Sequence, residues 1–324
     1  MEKVFIDSLV DKSQVQSAFM VQNKNLNSDK NGKNYLSLML TDKTGSINAM
    51  AWDNVEQINN SISIGDVVLI KAHVQSYQSR LQLIVHTVKK LESEAYHIED
   101  FIKESMHNPE ELFLQLKQII STIQNDNIRQ LVESVITAED FKLKLLKAPA
   151  AKTIHHAYVG GLLEHIVSIC KIMDFLATHY THLDRDLLIF GAIFHDIGKV
   201  WELEVTDGIQ YTNRGRLIGH MQIACEMIDE HSRKIMLFPE ELKDILKHII
   251  LSHHGRLEYG SPKRPKFLEA MVIAMIDDLD SKINTLQNFM LDEAKSDTSW
   301  SRFSPQFERY FYLDIIKNME KSPK

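Results

Sequence analysis

At roughly 150 residues per domain the 324 residues suggest about two domains, and an apolar fraction of 44% excludes a wholly disordered chain. Lys and Arg number 37 against 44 Asp and Glu, a net −7 that excludes a uniformly basic nucleic-acid coat. Residues 1–90 hold 10 basic and 8 acidic side chains and the remainder 27 and 36, so a slightly basic head precedes an acidic body suited to holding cations. Cys170 and Cys225 are the only cysteines and lie in apolar helical patterns, which excludes a disulfide scaffold and a thiolate zinc cluster. No apolar signal core follows Met1, and the longest apolar stretch, Leu187–Phe194, is far too short to span a bilayer. The expectation is a protein of a reducing cytoplasm with no membrane partner.

In chain order, residues 1–90 read as strands: Ser17–Val21, Tyr35–Leu40, Ser46–Trp52, Val67–Val74 and Leu81–Val88, with turns at Thr41–Gly45 and Gln75–Arg80. β-rich runs between polar turns predict a small barrel or sandwich. Asp42-x-x-Gly45 followed by Ile47–Trp52, with Gly65-Asp66 opening the next strand, resembles the OB-fold pattern. Residues 91–150 switch to helical period from Ile98, Phe101 and Ile102 onward, with Pro109-Glu110-Glu111 as a helix start and Pro149 as an end. This segment carries too many apolar residues for a flexible linker. The rest reads as helical almost throughout, with candidates Leu162–Tyr180, Arg185–His195, Ile218–His231, Pro239–Ser252 and Phe267–Leu291. A loop or hairpin around Asp207-Gly208 separates Trp201 from Arg216, and Trp300–Lys317 is an aromatic-rich helix or coil.

Histidine is the informative excess. Of 15, 11 fall between His155 and His254, and imidazole is the commonest metal ligand and a frequent proton carrier. His195-Asp196 is the centre of the pattern. Adjacent side chains in mid-helix point about 100° apart, but at a helix's C-terminal end both can turn toward one cation. An aspartate there meets the helix's negative end, and a bound divalent cation reverses that cost. His165 lies on the first candidate helix of this region, His220 opens another after Gly219, and His253-His254 closes a third. Asp277-Asp278-x-Asp280 interrupts the apolar run Met271–Ile276, and carboxylates on a buried helix need a positive partner or a solvated face. Singly, these are a core histidine, a helix cap and a solvated helix end; jointly they point to a metal centre.

The order H…HD…H…HH…D over Thr153–Ser281 resembles the HD-domain superfamily of metal-dependent phosphohydrolases. Carried over residue by residue, the resemblance implies His165, His195, Asp196 and Asp277 as the basic ligand set. It implies His220, His253 and His254 as the extra ligands of two-metal members, with Asp196 as the bridge. A nitrogen and oxygen donor set without thiolate suits Mn²⁺, Co²⁺, Fe²⁺ or Zn²⁺ better than Mg²⁺. Two divalent cations are the expected cofactor. Lys199, three residues beyond the pair, is expected to reach a phosphate and offset charge in the transition state. Arg214 and Arg216, with Arg256, Lys263 and Arg264, are flanking cations that could hold a polyanion.

In the head, Tyr35, Trp52 and Tyr77 interleave with Lys33, Lys71 and Arg80, the mixture by which OB-folds stack bases and track phosphates. An OB-fold followed by an HD domain is the arrangement of the YhaM family of bacterial 3′–5′ exoribonucleases. The stretch His155–His165 is similar to that family's approach to its first ligand. The resemblance implies a multidomain β + α chain: an N-terminal OB-fold β-barrel over 1–90, a helical connector over 91–150 and a C-terminal all-α HD domain over 151–324. It implies manganese-type dependence and stepwise release of nucleoside 5′-monophosphates from single-stranded RNA, with DNA as a further substrate; a homo-oligomer stays open. Two other readings stand beside it. One is a cyclic-dinucleotide phosphodiesterase, although the Gly-Tyr-Pro element expected there is absent after His254. The other is a DNA-binding replication or regulatory factor.

Overall fold

The computed structural model describes residues 3–77, 80–101, 107–152, 158–206 and 208–321. The His155-His156 approach and Asp207 of the expected hairpin lie outside the described residues. The chain divides into two compact units, residues 1–103 with 285–324, and residues 104–284. The sequence reading sets its boundaries at 90 and 150 instead.

In the first unit five strands close a barrel: β1 (Gln14–Ser28), β2 (Asn34–Asp42), β3 (Gly45–Ala51), β4 (Val67–Tyr77) and β5 (Arg80–Lys90). Their order round the barrel is β1-β2-β3-β5-β4, with a parallel β3–β5 pair and antiparallel pairs elsewhere. The helix α1 (Val55–Ser61) connects β3 to β4 and buries Val55 and Ile58. Alternation decides what faces inward: Leu36, Leu38 and Leu40 of β2 and Ile70, Ala72 and Val74 of β4 join one core. The Asp42-x-x-Gly45 turn is anchored by a fully buried carboxylate. Asp42 accepts from the backbone N–H groups of Ile6 and Thr44, each at 2.9 Å, and pairs with Lys3 at 3.1 Å. Strand β1 runs well past the expected Ser17–Val21, because its second half is a solvent-facing polar ribbon beyond a bulge between Val21 and Asn23.

In the second unit the helices are α2 (Pro109–Ser121), α3 (Asp126–Ile136), α4 (Glu139–Leu145), α5 (Gly161–His179), α6 (Arg185–Phe194) and the short α7 (Lys199–Glu202). A two-stranded ribbon, β6 (Leu203–Val205) and β7 (Ile209–Tyr211), fills the expected hairpin. After it come α8 (Asn213–Ile218), α9 (His220–Ser232), α10 (Glu240–Ser252) and the long α11 (Leu268–Ala294), whose last turns fall in the first unit. The helix expected from Ile218 starts at His220 instead, because Gly219, with a left-handed φ of 79°, separates it from the short α8. Caps follow the sequence: Asn108, Asn125 and Asp184 each accept from backbone N–H groups at a helix start. Leu116, Leu131, Leu163, Phe190, Ile223 and Ile249 share one core, so α2 and α3 pack as part of the same helical body as α5–α10. Helix α6 runs so close to α11 that a methyl at Gly191 would lie 2.0 Å from Ile273 Cδ1. The chain closes in the first unit with an irregular hairpin bridged at Trp300 and Tyr312, then α12 (Asp314–Lys321). Among the described residues no helix is long and apolar enough to cross a membrane.

Candidate metal centre

Five helices deliver the centre. His165 lies in the second turn of α5, His195 caps α6 and Asp196 follows it. His220 opens α9, His253 caps α10, and Asp277 lies inside α11. Each histidine has its Nδ1 tied down. His165 Nδ1 donates to Asp280 Oδ2 at 2.9 Å, and His195 Nδ1 to the Gly191 and Ala192 carbonyls at 3.1 Å each. His253 Nδ1 donates to the Ile250 carbonyl at 2.7 Å, His254 Nδ1 to the Tyr259 carbonyl at 2.9 Å, and His220 Nδ1 to Glu202 Oε1 at 3.2 Å. Carbonyls and carboxylates only accept, so a proton belongs on every Nδ1 and the Nε2 lone pairs are the ones left for a cation.

Those Nε2 atoms converge on two aspartates. The first group joins His165 and His195, with Nε2 atoms 3.1 Å apart, to Asp277 Oδ1 at 3.3 and 3.6 Å. Asp196 Oδ2 completes it, 3.5 Å from His195 Nε2 and 3.9 Å from His165 Nε2. The other oxygen of Asp196 faces the second group, 3.5 Å from His220 Nε2 and 3.6 Å from His253 Nε2. His254 belongs to that group, whose ligand atoms lie within 4.8 Å of one another. Asp196 thus spans both groups through its two oxygens.

The second group carries a specific electrostatic defect. Among the described residues, Asp196 Oδ1, His220 Nε2 and His253 Nε2 are buried without a hydrogen-bond partner. Each such orphan costs on the order of 1–3 kcal/mol. With Nδ1 protonated all three are acceptors facing one another, and none can satisfy the next. A divalent cation is the group that satisfies all three, so these residues fit one.

The charges are arranged accordingly. Burial alone would raise the carboxyls of Asp196 and Asp277, but Lys199 and His195 beside the first and His195 and His165 beside the second hold both well below the usual carboxylate range. Burial lowers His253 and His254, which favours their neutral form. His165 goes the other way: burial opposes its charge, yet Asp277 and Asp280 push it up to about 9. Without a cation it therefore carries a proton at pH 7, and a cation must displace that proton. Metal binding at pH 7 should release about one proton and tighten as pH rises toward 9. Calorimetry in buffers of different ionisation enthalpy measures the released proton, and a buffer-independent heat would contradict the assignment.

Lys199 Nζ lies 2.6 Å from Asp196 Oδ2, where its charge offsets that of the carboxylate. The supporting residues were the part the sequence reading missed. Asp280 lies three residues after Asp277 and so shares its helix face, while Asp278 points away and pairs with Lys282 at 2.6 Å. The i,i+3 spacing carried that signal. Asp280 also accepts from Ser168 Oγ at 2.7 Å. Asp280→Asn should weaken metal binding roughly 10- to 100-fold, as expected of a carboxylate that orients a ligand histidine; a metal titration of the variant checks this. Glu202, which holds both the His220 backbone and its ring, gave no sequence signal at all.

On the barrel, Trp52 lies against Tyr35 with ring centroids 4.7 Å apart. Trp52 and Tyr77 also line one groove of about 350 Å³ with Met50, Gln75, Gln82 and Ile84. Tyr77 is 57% exposed, which agrees with a ring that serves something other than the core. Lys71 is exposed on β4, on the same outward face as Gln75 and Tyr77. Lys33 is exposed and 3.9 Å from Asp53. Arg80 is committed elsewhere: its guanidinium pairs with Glu293 at 2.6 Å. In the helical unit Arg214 pairs with Glu226 at 2.6 Å, while Arg216 is exposed on α8.

Barrel order and His/Asp centre define the class, an HD-domain hydrolase joined to an OB-fold. The comparisons agree: a model of the HD domain matches residues 162–282, and one of an OB-fold nucleic acid binding domain matches residues 18–91. The 3′-5′ exoribonuclease YhaM of Geobacillus sp. (strain WCH70) is 33% identical over 291 residues, 89% of this chain and 88% of that protein. The chain belongs to the YhaM family of 3′-5′ exoribonucleases and is an enzyme of that kind. Among solved structures, the second OB-fold domain of replication protein A from Methanococcus maripaludis is 24% identical, covering 28% of this chain and 96% of that domain at a TM-score of 0.24. The mitochondrial single-stranded DNA binding protein Rim1 of S. cerevisiae is 17% identical, covering 25% of this chain and 97% of that one at a TM-score of 0.22.

Proposed function

We propose that the chain is a metal-dependent exoribonuclease that shortens single-stranded RNA from its 3′ end, one nucleoside 5′-monophosphate at a time, with single-stranded DNA as a second substrate. The observation that carries the metal dependence is the set of three orphaned acceptors around Asp196. In this reading His165, His195, Asp196 and Asp277 hold one cation and Asp196, His220, His253 and His254 a second. Manganese is the first candidate by the resemblance to the YhaM family, and imidazole and carboxylate donors without thiolate admit Fe²⁺, Co²⁺ or Zn²⁺ as well. Bound divalent cations supply Lewis-acid polarisation of the phosphodiester and activation of the attacking water.

The protein's own groups do the rest. Asp280 and Glu202 fix the rings of His165 and His220, and Lys199 balances the charge of Asp196. Water attacks the last phosphorus, its bond to the 3′-oxygen of the preceding nucleotide breaks, and that oxygen leaves with a proton. The barrel holds the strand by stacking bases on Trp52, Tyr35 and Tyr77 and by phosphate contacts from Lys33 and Lys71. The pairing of Arg80 and Arg214 with carboxylates leaves them weaker candidates than Arg216. Tyr77→Ala should weaken binding of a long single strand roughly ten-fold, the scale of one lost base stack, without changing metal content; fluorescence anisotropy checks it.

The test is 5′-labelled single-stranded RNA incubated with the protein and Mn²⁺. A ladder shrinking from the 3′ end, absent when the metal is chelated, is expected. Immediate release of labelled mononucleotide would mean the opposite polarity, and turnover of a cyclic dinucleotide without any ladder would favour the alternative phosphodiesterase.

A further inference from the structure

The segment that follows His253 and His254 is a hydrogen-bonded loop that shows Arg256, Leu257 and Tyr259 to solvent. Gly255 and Gly260, at φ of 76° and 83°, turn the chain at each end of it. The C-terminal end of α10 is closed by this loop: the Leu251 carbonyl accepts from Ser261 Oγ at 3.1 Å and from Lys263 N–H at 3.0 Å. Ser261 is buried, and Lys266 N–H donates to His248 Nε2 at 3.0 Å. Within this stitched frame Tyr259 uses its backbone carbonyl to orient His254, while its ring is 62% exposed. The Arg256 guanidinium lies over that ring, 5.7 Å from its centroid. Arg256, Lys263, Arg264 and Lys266 have no carboxylate partner among the described residues, although the body around them is acidic. The loop thus exposes an aromatic ring beside His254, with an Arg upon it and, among the described residues, cations without a carboxylate partner after it.

We infer that Tyr259 and Arg256 form the seat for the terminal nucleotides of the RNA: the ring and guanidinium stack on a base, and Arg256, Lys263, Arg264 and Lys266 meet the phosphates. Every base offers a π-face, so the seat is tolerant of sequence and selects for an unpaired strand end. The unpartnered positive charge is what fits a polyanion here rather than a protein partner. The inference rests on the exonuclease reading and adds a specificity element to its site. Because the His254 contact comes from the Tyr259 backbone, replacing the ring leaves that ligand's orientation in place.

The test compares wild type, Tyr259→Ala and Tyr259→Trp on single-stranded RNA with an ordinary 3′ end and on RNA made abasic at the last or the penultimate nucleotide. In wild type one of the abasic substrates should show a KM raised roughly ten-fold. Tyr259→Ala should raise KM on ordinary RNA by a similar factor with kcat little changed, and should no longer distinguish abasic from ordinary ends. Tyr259→Trp should restore both. Undiminished discrimination by Tyr259→Ala, or loss of bound Mn²⁺ in that variant, would overturn the inference. Failure of the wild type itself to shorten RNA in Mn²⁺ would strike the exonuclease reading instead.

Discussion

Asp196→Asn is expected to abolish RNA hydrolysis, a loss on the order of a thousandfold or more, while the helical content of the protein stays as it is. The carboxylate is the side chain that faces both ligand groups, with Oδ2 toward His195 and Oδ1 toward His220 and His253. An amide has nearly the same shape but lacks the charge. Its NH₂ can donate to the orphaned Nε2 atoms of His220 or His253, and its oxygen can still accept from Lys199. The metal-free variant should therefore unfold close to the wild-type temperature, which separates loss of chemistry from loss of fold. Activity assays with circular dichroism on the same sample decide it: near wild-type turnover would remove Asp196 from the centre.

The second large effect is expected at Gly198. Its φ of −64° is ordinary for any residue, so backbone freedom is not the reason for glycine. The reason is space: a Cβ there would lie 2.1 Å from the carbonyl oxygen of His220, and its neighbours are backbone atoms that cannot rotate away. Gly198→Ala must push the start of α9 outward and take the His220 ring with it. A cost of about 1–3 kcal/mol is typical of such overpacking, several degrees of thermal midpoint for a body of this size. Weakened binding of one cation should accompany it. Thermal unfolding and a metal titration of the variant check the two parts, and an unchanged midpoint with unchanged titration would contradict the close contact.

Much of the fold was legible because two periodicities are written plainly in the chain. Leu36, Leu38 and Leu40 alternate into the barrel core, and the apolar stripes of α2, α5 and α9 mark their buried faces. The convergence of the histidines was legible because His195-Asp196, Gly219-His220 and His253-His254 all stand at helix ends, where chain direction changes and side chains can converge. Less legible were features that depend on contacts between distant segments. The outer half of β1 has no apolar alternation, since that ribbon faces water. Glu202 looks like any surface acid until α7 and α9 bring it to His220. Arg80 reads as a phosphate contact from its neighbours Tyr77 and Lys71, and only the fold shows Glu293 closing on it. Lys199 reads as a free cation for the same reason: nothing in the sequence says that its carbon chain folds back one turn onto Asp196.

The most direct measurement is the number of manganese ions held per chain, determined by elemental analysis at saturating Mn²⁺ after removal of free metal, for wild type and for His220→Ala. Two ions per chain in wild type and one in His220→Ala are expected, because His220 serves only the second ligand group. One ion in both proteins would contradict a centre in which Asp196 joins two cations.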